Sequence, residues 1–155
     1  MRPFCGSMPV ENGANMGMRF SDAKEFQQID LQELFLSVEW VAGHYPGKLV
    51  VAMENSDTVF SAWDNDKLVG LVNALDDGIM TAYIHFLLVR PDYQGRGVGK
   101  ELLKMLADKY REYMRIVLIA DDQETVYYQN SGFKLAKGTK AMFIEKRFVE
   151  NNKES

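Results

Sequence analysis

Between Gln94 and Lys100 the chain reads QGRGVGK, which places Gly95, Gly97 and Gly99 at alternate positions directly before an amphipathic run. Glycines at a helix start let unpaired backbone N–H groups converge on an anion, and the helix dipole adds partial positive charge. A diphosphate has the size and charge for such a cradle, with Arg96 and Lys100 as cations able to reach the same phosphates. A plain turn into a helix needs one glycine rather than three, so a phosphate-bearing ligand is expected here. Two common phosphate loops do not fit. Reading Gly99-Lys100 as the G-K of G-x-x-x-x-G-K-[ST] puts Gln94 at the first glycine and Glu101 at the magnesium-binding hydroxyl. A dinucleotide fingerprint begun at Gly95 would need a glycine where Lys100 stands.

The elements that must position this loop follow from periodicity. MRFSDA is expected as a short first strand, and residues 30–41 place Leu31, Leu34, Phe35, Val38 and Val41 at helical spacing, with Asp30 placed to cap. Pro46 suits the first turn of a second helix. TVFSAW and KLVGLVNAL are β-rich runs joined by DNDK, a hairpin signal, and MTAYIHFLLV is a long apolar strand that Pro91 stops. After the glycines, Val98, Leu102, Leu103, Leu106, Tyr110 and Tyr113 share one helical face. RIVLIAD then reads as a buried strand, so 80–89 and 115–120 should run parallel across a βαβ unit. A short helix in QETVYYQNSGF should close at Gly132, and 134–148 is expected as a final strand or pair of strands. The fold class is therefore α/β in the α+β sense: a mixed, mostly antiparallel sheet with a central parallel βαβ crossover, flanked by helices.

Composition bounds the function. A chain of 155 residues, 46% hydrophobic and 26% charged, suits one globular domain over 18–149, between a polar tail at 1–17 and another at 150–155. The formal net charge of -4 leaves no electrostatic footprint for a nucleic acid. Cys5 alone gives no internal disulfide, and with only His44 and His85 there is no cluster of zinc-ligand type, so no metal is expected. Without a run of membrane-span length or a signal-like opening, the expectation is a soluble, cytoplasmic chain with no membrane partner.

A third loop pattern, Q/R-x-x-G-x-G/A, is met at every position by Gln94-Gly95-Arg96-Gly97-Val98-Gly99. Here the chain resembles the GNAT superfamily of acetyl-CoA-dependent N-acetyltransferases. LLVRPDYQGRGVGKELLKML looks like that family's strand, loop and helix, and VYYQNSGF is similar to its later YE-x-x-GF segment, in matching order and spacing. The resemblance implies acetyl-CoA as co-substrate, with its pantetheine arm along Leu87, Leu88 and Val89 like an added strand. It implies that a backbone N–H of Leu88 or Val89 polarises the thioester oxygen. Gln94, Gly95, Arg96, Gly97, Val98, Gly99 and Lys100 would hold the diphosphate. Many relatives carry an asparagine seven residues before the tyrosine of the later motif; here that cofactor position is Asp121, which accepts a hydrogen bond but cannot donate one.

Acetyl transfer needs a neutral amine, a donor for the oxyanion and a proton for the leaving thiolate. The resemblance makes Tyr128, in the Y-x-x-x-G-F that ends at Phe133, the acid; a phenol stays protonated at neutral pH. Tyr127 is read as packing. His85 alternates with Tyr83, Leu87 and Val89 along its strand, so it is expected on their face as the candidate base. The family places its acceptor pocket at the first two helices and late loops, here Trp40, His44, Tyr45 and the region of Met142. A small-molecule primary amine is the expected substrate, with protein amines or a non-catalytic acyl-CoA sensor as alternatives. The resemblance is also compatible with a homodimer.

Overall fold

The computed structural model describes residues 17–144, and the chain divides into two compact units, Met1–Leu118 and Ile119–Ser155. The first unit is built on one sheet. Its strands β1 (Met18–Ser21), β2 (Thr58–Asp64), β3 (Lys67–Asp76), β4 (Thr81–Val89) and β5 (Arg115–Leu118) lie side by side in chain order. The first three junctions are antiparallel and β4 pairs β5 in parallel, as the βαβ reading requires. That parallel pair lies at one end of the described sheet. The β2–β3 hairpin turns where Asn65 takes a φ of 51°, a left-handed conformation that asparagine tolerates better than most residues.

Helices cover both faces. Leu31, Leu34 and Phe35 of α1 (Gln28–Ser37) and Leu49 and Met53 of α2 (Pro46–Asn55) pack with Val59, Leu68, Leu71 and Leu88 of the sheet. On the opposite face, α3 (Val98–Lys109) buries Val98, Leu102, Leu103 and Leu106. It comes close because Gly70 lacks a side chain: a Cβ there would meet Val98 Cγ1 at 3.0 Å and Leu102 Cδ1 at 3.3 Å. Each such fully buried aliphatic side chain contributes roughly 1.5–3 kcal/mol.

Two helix details differ from expectation. α1 ends at Ser37 rather than near Val41, because Glu39 adopts a φ of 60° and turns the chain into a short 3₁₀ segment at Val41–His44. Asp30 does not cap it; Leu31 N–H already bonds the Gln27 carbonyl, so Asp30 falls inside the first turn. There its carboxylate still faces the positive end of the helix dipole.

The second unit carries α4 (Thr125–Asn130), and Gly132, at a φ of 95°, follows its end as expected. The strand anticipated over 134–148 does not form across 134–144. Bonds from Lys137 N–H to Leu135 O and from Thr139 N–H to Ala136 O curl this stretch locally, and Gly138 takes a φ of 76°. The rest of that expectation, and both tails apart from Gly17, lie outside the described residues.

The C-terminal end of α3 is fastened to the sheet by a hydroxyl. Tyr110, 2% exposed, donates to Asp76 Oδ2 at 2.7 Å, so the 2.6 Å contact with Thr58 Oγ1 is a bond that Thr58 donates. Tyr113 donates to Asp76 Oδ1 at 3.2 Å. Tyr110→Phe keeps the ring and removes the bridging oxygen. Denaturant unfolding of this variant should show a loss of about 1–3 kcal/mol, because a buried threonine and a part-buried carboxylate lose a bond together. A change within error of zero would mean that water replaces the hydroxyl.

Candidate functional site

β4 carries an extra residue. Asn73 pairs with Phe86 and Ala74 with Ile84, so His85 and Phe86 together oppose Asn73 in a β-bulge. The surplus reverses which residues share a face beyond it. Phe86 and Leu88 join the core on the α1 side, whereas Val89 lies opposite Gly70, the residue that α3 covers. The expectation that His85 shares a face with Tyr83, Leu87 and Val89 is corrected accordingly. His85 stacks on Phe86 with centroids 3.9 Å apart and on Tyr83 at 6.1 Å, while Leu87 and Val89 turn to the other face. Desolvation holds the His85 imidazole below the ordinary histidine pKa, favouring the neutral form.

β5 covers only the first part of β4. The parallel pairing runs from Thr81–Arg115 to Ile84–Leu118 and stops. From His85 to Val89, β4 has a strand neighbour on the β3 side alone among the described residues. An unpaired edge of this length can accept an extended ligand that bonds like a strand. Leu87, Leu88 and Val89 lie on it; because Arg90 N–H bonds Val69 O, alternation turns the backbone groups of Leu87 and Val89 to the open side and those of Leu88 to β3.

The glycine loop follows that edge. Arg90 anchors the turn, with its N–H on Val69 O, its Nε on Leu68 O at 2.6 Å and its Nη2 on Glu33 at 3.2 Å. Gln94 Nε2 donates back to Val89 O at 3.0 Å, so this side chain braces the loop against the strand end. Tyr93 donates to Asp64 Oδ2, and the Arg96 guanidinium lies over its ring at 4.9 Å. Gly95 and Gly97 have φ values of 77° and 81°, so the turn itself requires two glycines, not the single one that sequence reasoning allowed. Gly99 is different. It sits in the first turn of α3 without a left-handed φ, so backbone conformation does not explain the missing side chain. The first helical bond here is Glu101 N–H to Gly97 O at 3.0 Å. The N–H groups of Val98, Gly99 and Lys100 are the free donors of the helix start. Val98's side chain is buried, whereas Arg96 and Lys100 are exposed with no carboxylate in ion-pair range among the described residues.

Asp121 and Tyr128 belong to the second unit. Asp121 precedes a 3₁₀ turn at Asp122–Glu124, and its carbonyl accepts from Glu124 N–H at 2.9 Å. Tyr128, on α4, packs edge-on against Phe133 at 5.7 Å and Tyr127 at 5.3 Å, the last turn being closed by Phe133 N–H on Tyr128 O. Burial, then Glu124, then Tyr127 push its phenol up to about 12. The hydroxyl is therefore a proton donor throughout the neutral range.

Of the expected acceptor residues, Trp40 packs against Phe35 at 6.0 Å and Phe86 at 5.8 Å, beside the bulge. His44 is exposed at the end of the 3₁₀ segment, Tyr45 is half-buried, and Met142 is exposed in the second unit. Sequence reasoning missed the bulge and the residues around it. The available signal was Asn73, a polar residue inside an otherwise apolar strand.

A family description, "Acetyltransferase (GNAT) domain", matches residues 30–149. The chain is 34% identical to "GCN5-related N-acetyltransferase 2, chloroplastic" of Arabidopsis thaliana, over 86% of this chain and 60% of that one. It therefore spans less than two thirds of that relative's length. It is 33% identical to "Histone acetyltransferase TAP1" of Glycine max, over 80% of this chain and 59% of that one. A putative acetyltransferase structure from Deinococcus radiodurans R1 superposes with a TM-score of 0.73 at 25% identity, covering 87% of this chain and 91% of that one. A GNAT family acetyltransferase from Streptococcus pneumoniae TIGR4 shares the fold with a TM-score of 0.72 at 23% identity, covering 83% and 98%. The cytoplasmic location expected from sequence has no counterpart in the Arabidopsis relative's name. No helix among the described residues is long and apolar enough to cross a membrane.

Because only Gly99 is free of a backbone requirement for glycine, it gives the cleaner test of the cradle. Gly99→Val should fold normally yet bind acetyl-CoA at least about tenfold more weakly, a loss of about 1.4 kcal/mol. Isothermal calorimetry measures this directly. Unchanged affinity would remove the diphosphate from the start of α3.

Proposed function

The chain belongs to the GNAT acetyltransferase family, and on that premise we propose that it transfers the acetyl group of acetyl-CoA to a primary amine of a small molecule. The observation that carries this reading is the continuity of two features: a β4 edge from His85 to Val89 that is unpaired among the described residues, leading directly into a glycine-cradled helix start. An extended thioester-bearing arm ending in a diphosphate needs both, in that order.

The amine nitrogen adds to the thioester carbonyl carbon, forming the C–N bond of a tetrahedral intermediate whose collapse breaks the C–S bond. An alkylammonium with a pKa near ~10 is neutral in only about one part in a thousand at pH 7, a cost of roughly 4 kcal/mol. His85 takes that ammonium proton; a base already biased toward its neutral form is ready at neutral pH. The backbone N–H of Val89, on the open side of β4, stabilises the oxyanion of the tetrahedral intermediate. Tyr128 gives its phenolic proton to the departing sulfur, and the second proton that the attacking nitrogen sheds on becoming an amide passes to solvent, from which the phenolate is reprotonated. The phenol is protonated at neutral pH, as this role requires. The loop from Gln94 to Lys100 holds the diphosphate, and Asp121 is the cofactor-side acceptor.

A second reading is favoured by the soybean relative, whose name includes histone acetyltransferase: the acceptor would then be a protein amine. An acetyl-CoA turnover screen over polyamines, arylalkylamines, amino acids, aminoglycosides and N-terminal and lysine peptides separates the two. Turnover confined to peptides would replace the small-molecule reading, and tight acetyl-CoA binding without turnover would favour a sensor.

Two side chains give the mechanism its tests. In the parent, kcat/KM should rise with pH along a limb lying below the usual histidine value of ~6.5, because partial desolvation lowers the pKa of the surface-exposed His85 and the base must be unprotonated. His85→Gln should lose that limb; a variant retaining it would assign the ionisation elsewhere. Tyr128→Phe should leave acetyl-CoA affinity nearly unchanged while lowering kcat and kcat/KM together by about 10²–10⁴-fold. Parental turnover, with chemistry shown to be rate-limiting, would exclude Tyr128 as the acid.

A further inference from the structure

Every residue of β3 from Leu68 to Ala74 is buried, and all but one are apolar or glycine. The exception is Asn73, 1% exposed. A buried amide is tolerated only where it is fully partnered, so its partners indicate why it is there. Asn73 Oδ1 accepts from the Phe86 N–H at 2.8 Å. Its Nδ2 donates to Ser56 Oγ at 3.0 Å, and the Ser56 hydroxyl, on a residue 2% exposed, donates to Ala52 O at 2.7 Å. A chain of three hydrogen bonds thus runs from the last turns of α2, through β3, to the backbone of β4. It ends at the bulge, and Asn73 is the residue that the bulge opposes.

We infer that Asn73 is a positioning residue: by holding the Phe86 N–H it keeps the β4 bulge open, which sets His85 against Phe86 and leaves Leu87 and Val89 on the opposite face. The inference rests on the proposed acetyl transfer for its catalytic meaning. An apolar residue at 73 would offer no side-chain acceptor to the Phe86 N–H, and the ladder would gain by closing into regular register. Because strand side chains alternate, such a one-residue slip would exchange the faces of all residues between the bulge and the glycine loop. It would also take the His85 imidazole away from the Phe86 ring. Ser56 has the supporting part of orienting the Asn73 amide so that its oxygen, not its nitrogen, meets the N–H.

The chain has two histidines, His44 and His85, so the imidazole region of a proton–carbon NMR spectrum is assigned by one variant, His44→Gln. With the His85 ring stacked at 3.9 Å, its Cε1–H signal should be displaced by the Phe86 ring current. Asn73→Leu, similar in volume, should remain folded and bring that signal back to the position of an unstacked histidine. With the amine panel named above, kcat should fall by about ten- to a hundredfold and KM for acetyl-CoA should rise with it, because the exchanged faces include Leu87, Leu88 and Val89. Tyr110→Phe, whose hydroxyl lies outside this chain of hydrogen bonds, is the control for lost stability: it should lower the melting temperature and keep the His85 signal displaced. If Asn73→Leu folds with the signal unmoved, the inference is overturned. If it fails to fold, hydrogen exchange of the Phe86 amide in the parent decides: protection matching the β3–β4 ladder supports the inference, and exchange at loop rates overturns it. Should no amine in the panel turn over, the proposed function fails, and the NMR signal alone then decides the role of Asn73.

Discussion

β4 has one residue more than the stretch of β3 it pairs with, and the surplus is absorbed where His85 and Phe86 together oppose Asn73. The remaining architecture around the site follows from that mismatch. Ahead of the bulge, Ala82 and Ile84 are buried; beyond it, Leu88 is the residue that joins the α1-side core. Without the extra residue, alternation would send Phe86 and Leu88 to the face of Ala82 and Ile84. With it, one strand serves two cores, and the change of allegiance falls where β5 stops pairing. The local twist that bulges introduce is compatible with a sheet whose parallel neighbour covers only half a strand. Among the described residues an edge is left open over a short length, between a paired region and a turn anchored by Arg90.

The loop that follows divides its glycines by physical role. Gly95 and Gly97 satisfy the backbone, each at a dihedral angle that residues with a Cβ rarely adopt. Gly99 satisfies space, leaving the first turn of α3 bare beside the free N–H groups. Gln94 and Tyr93 are tied to the protein itself, through Val89 O and Asp64. The loop is therefore braced before any ligand arrives, which reduces the ordering a ligand would have to impose.

Most of the architecture was legible because it rests on local signals. Pro46 marked α2, the DNDK turn marked the β2–β3 hairpin, and the Val98, Leu102, Leu103, Leu106 stripe marked α3. The glycine motif was legible as a ligand cradle. What escaped were departures from periodicity. Alternation along YIHFLLV is the correct rule for a regular strand, but an inserted residue leaves no trace in the strand's own hydrophobic pattern. Its trace lay across the ladder, in Asn73, where sequence reading saw only one polar residue in an apolar run. The end of α1 was set by the backbone of Glu39, a residue type that carries no stop signal. The stretch over 134–144 has strand-like composition but bends at Gly138, and the apolar Met142, Phe143 and Ile144 remain exposed.

The hydroxyl that fastens α3 constrains how this sequence can drift. Tyr110, Thr58 and Asp76 come from a helix and two strands, yet they meet at a single oxygen. Losing Tyr110 strands a threonine and a carboxylate, while losing Asp76 leaves two phenols, Tyr110 and Tyr113, without their acceptor. A replacement that removes any one of these donor or acceptor groups leaves the others unsatisfied. The three positions are therefore expected to vary together across descendants of this chain, passing through poorly tolerated intermediates or staying fixed. Such a corner behaves as one inherited character written at three separated places in the gene.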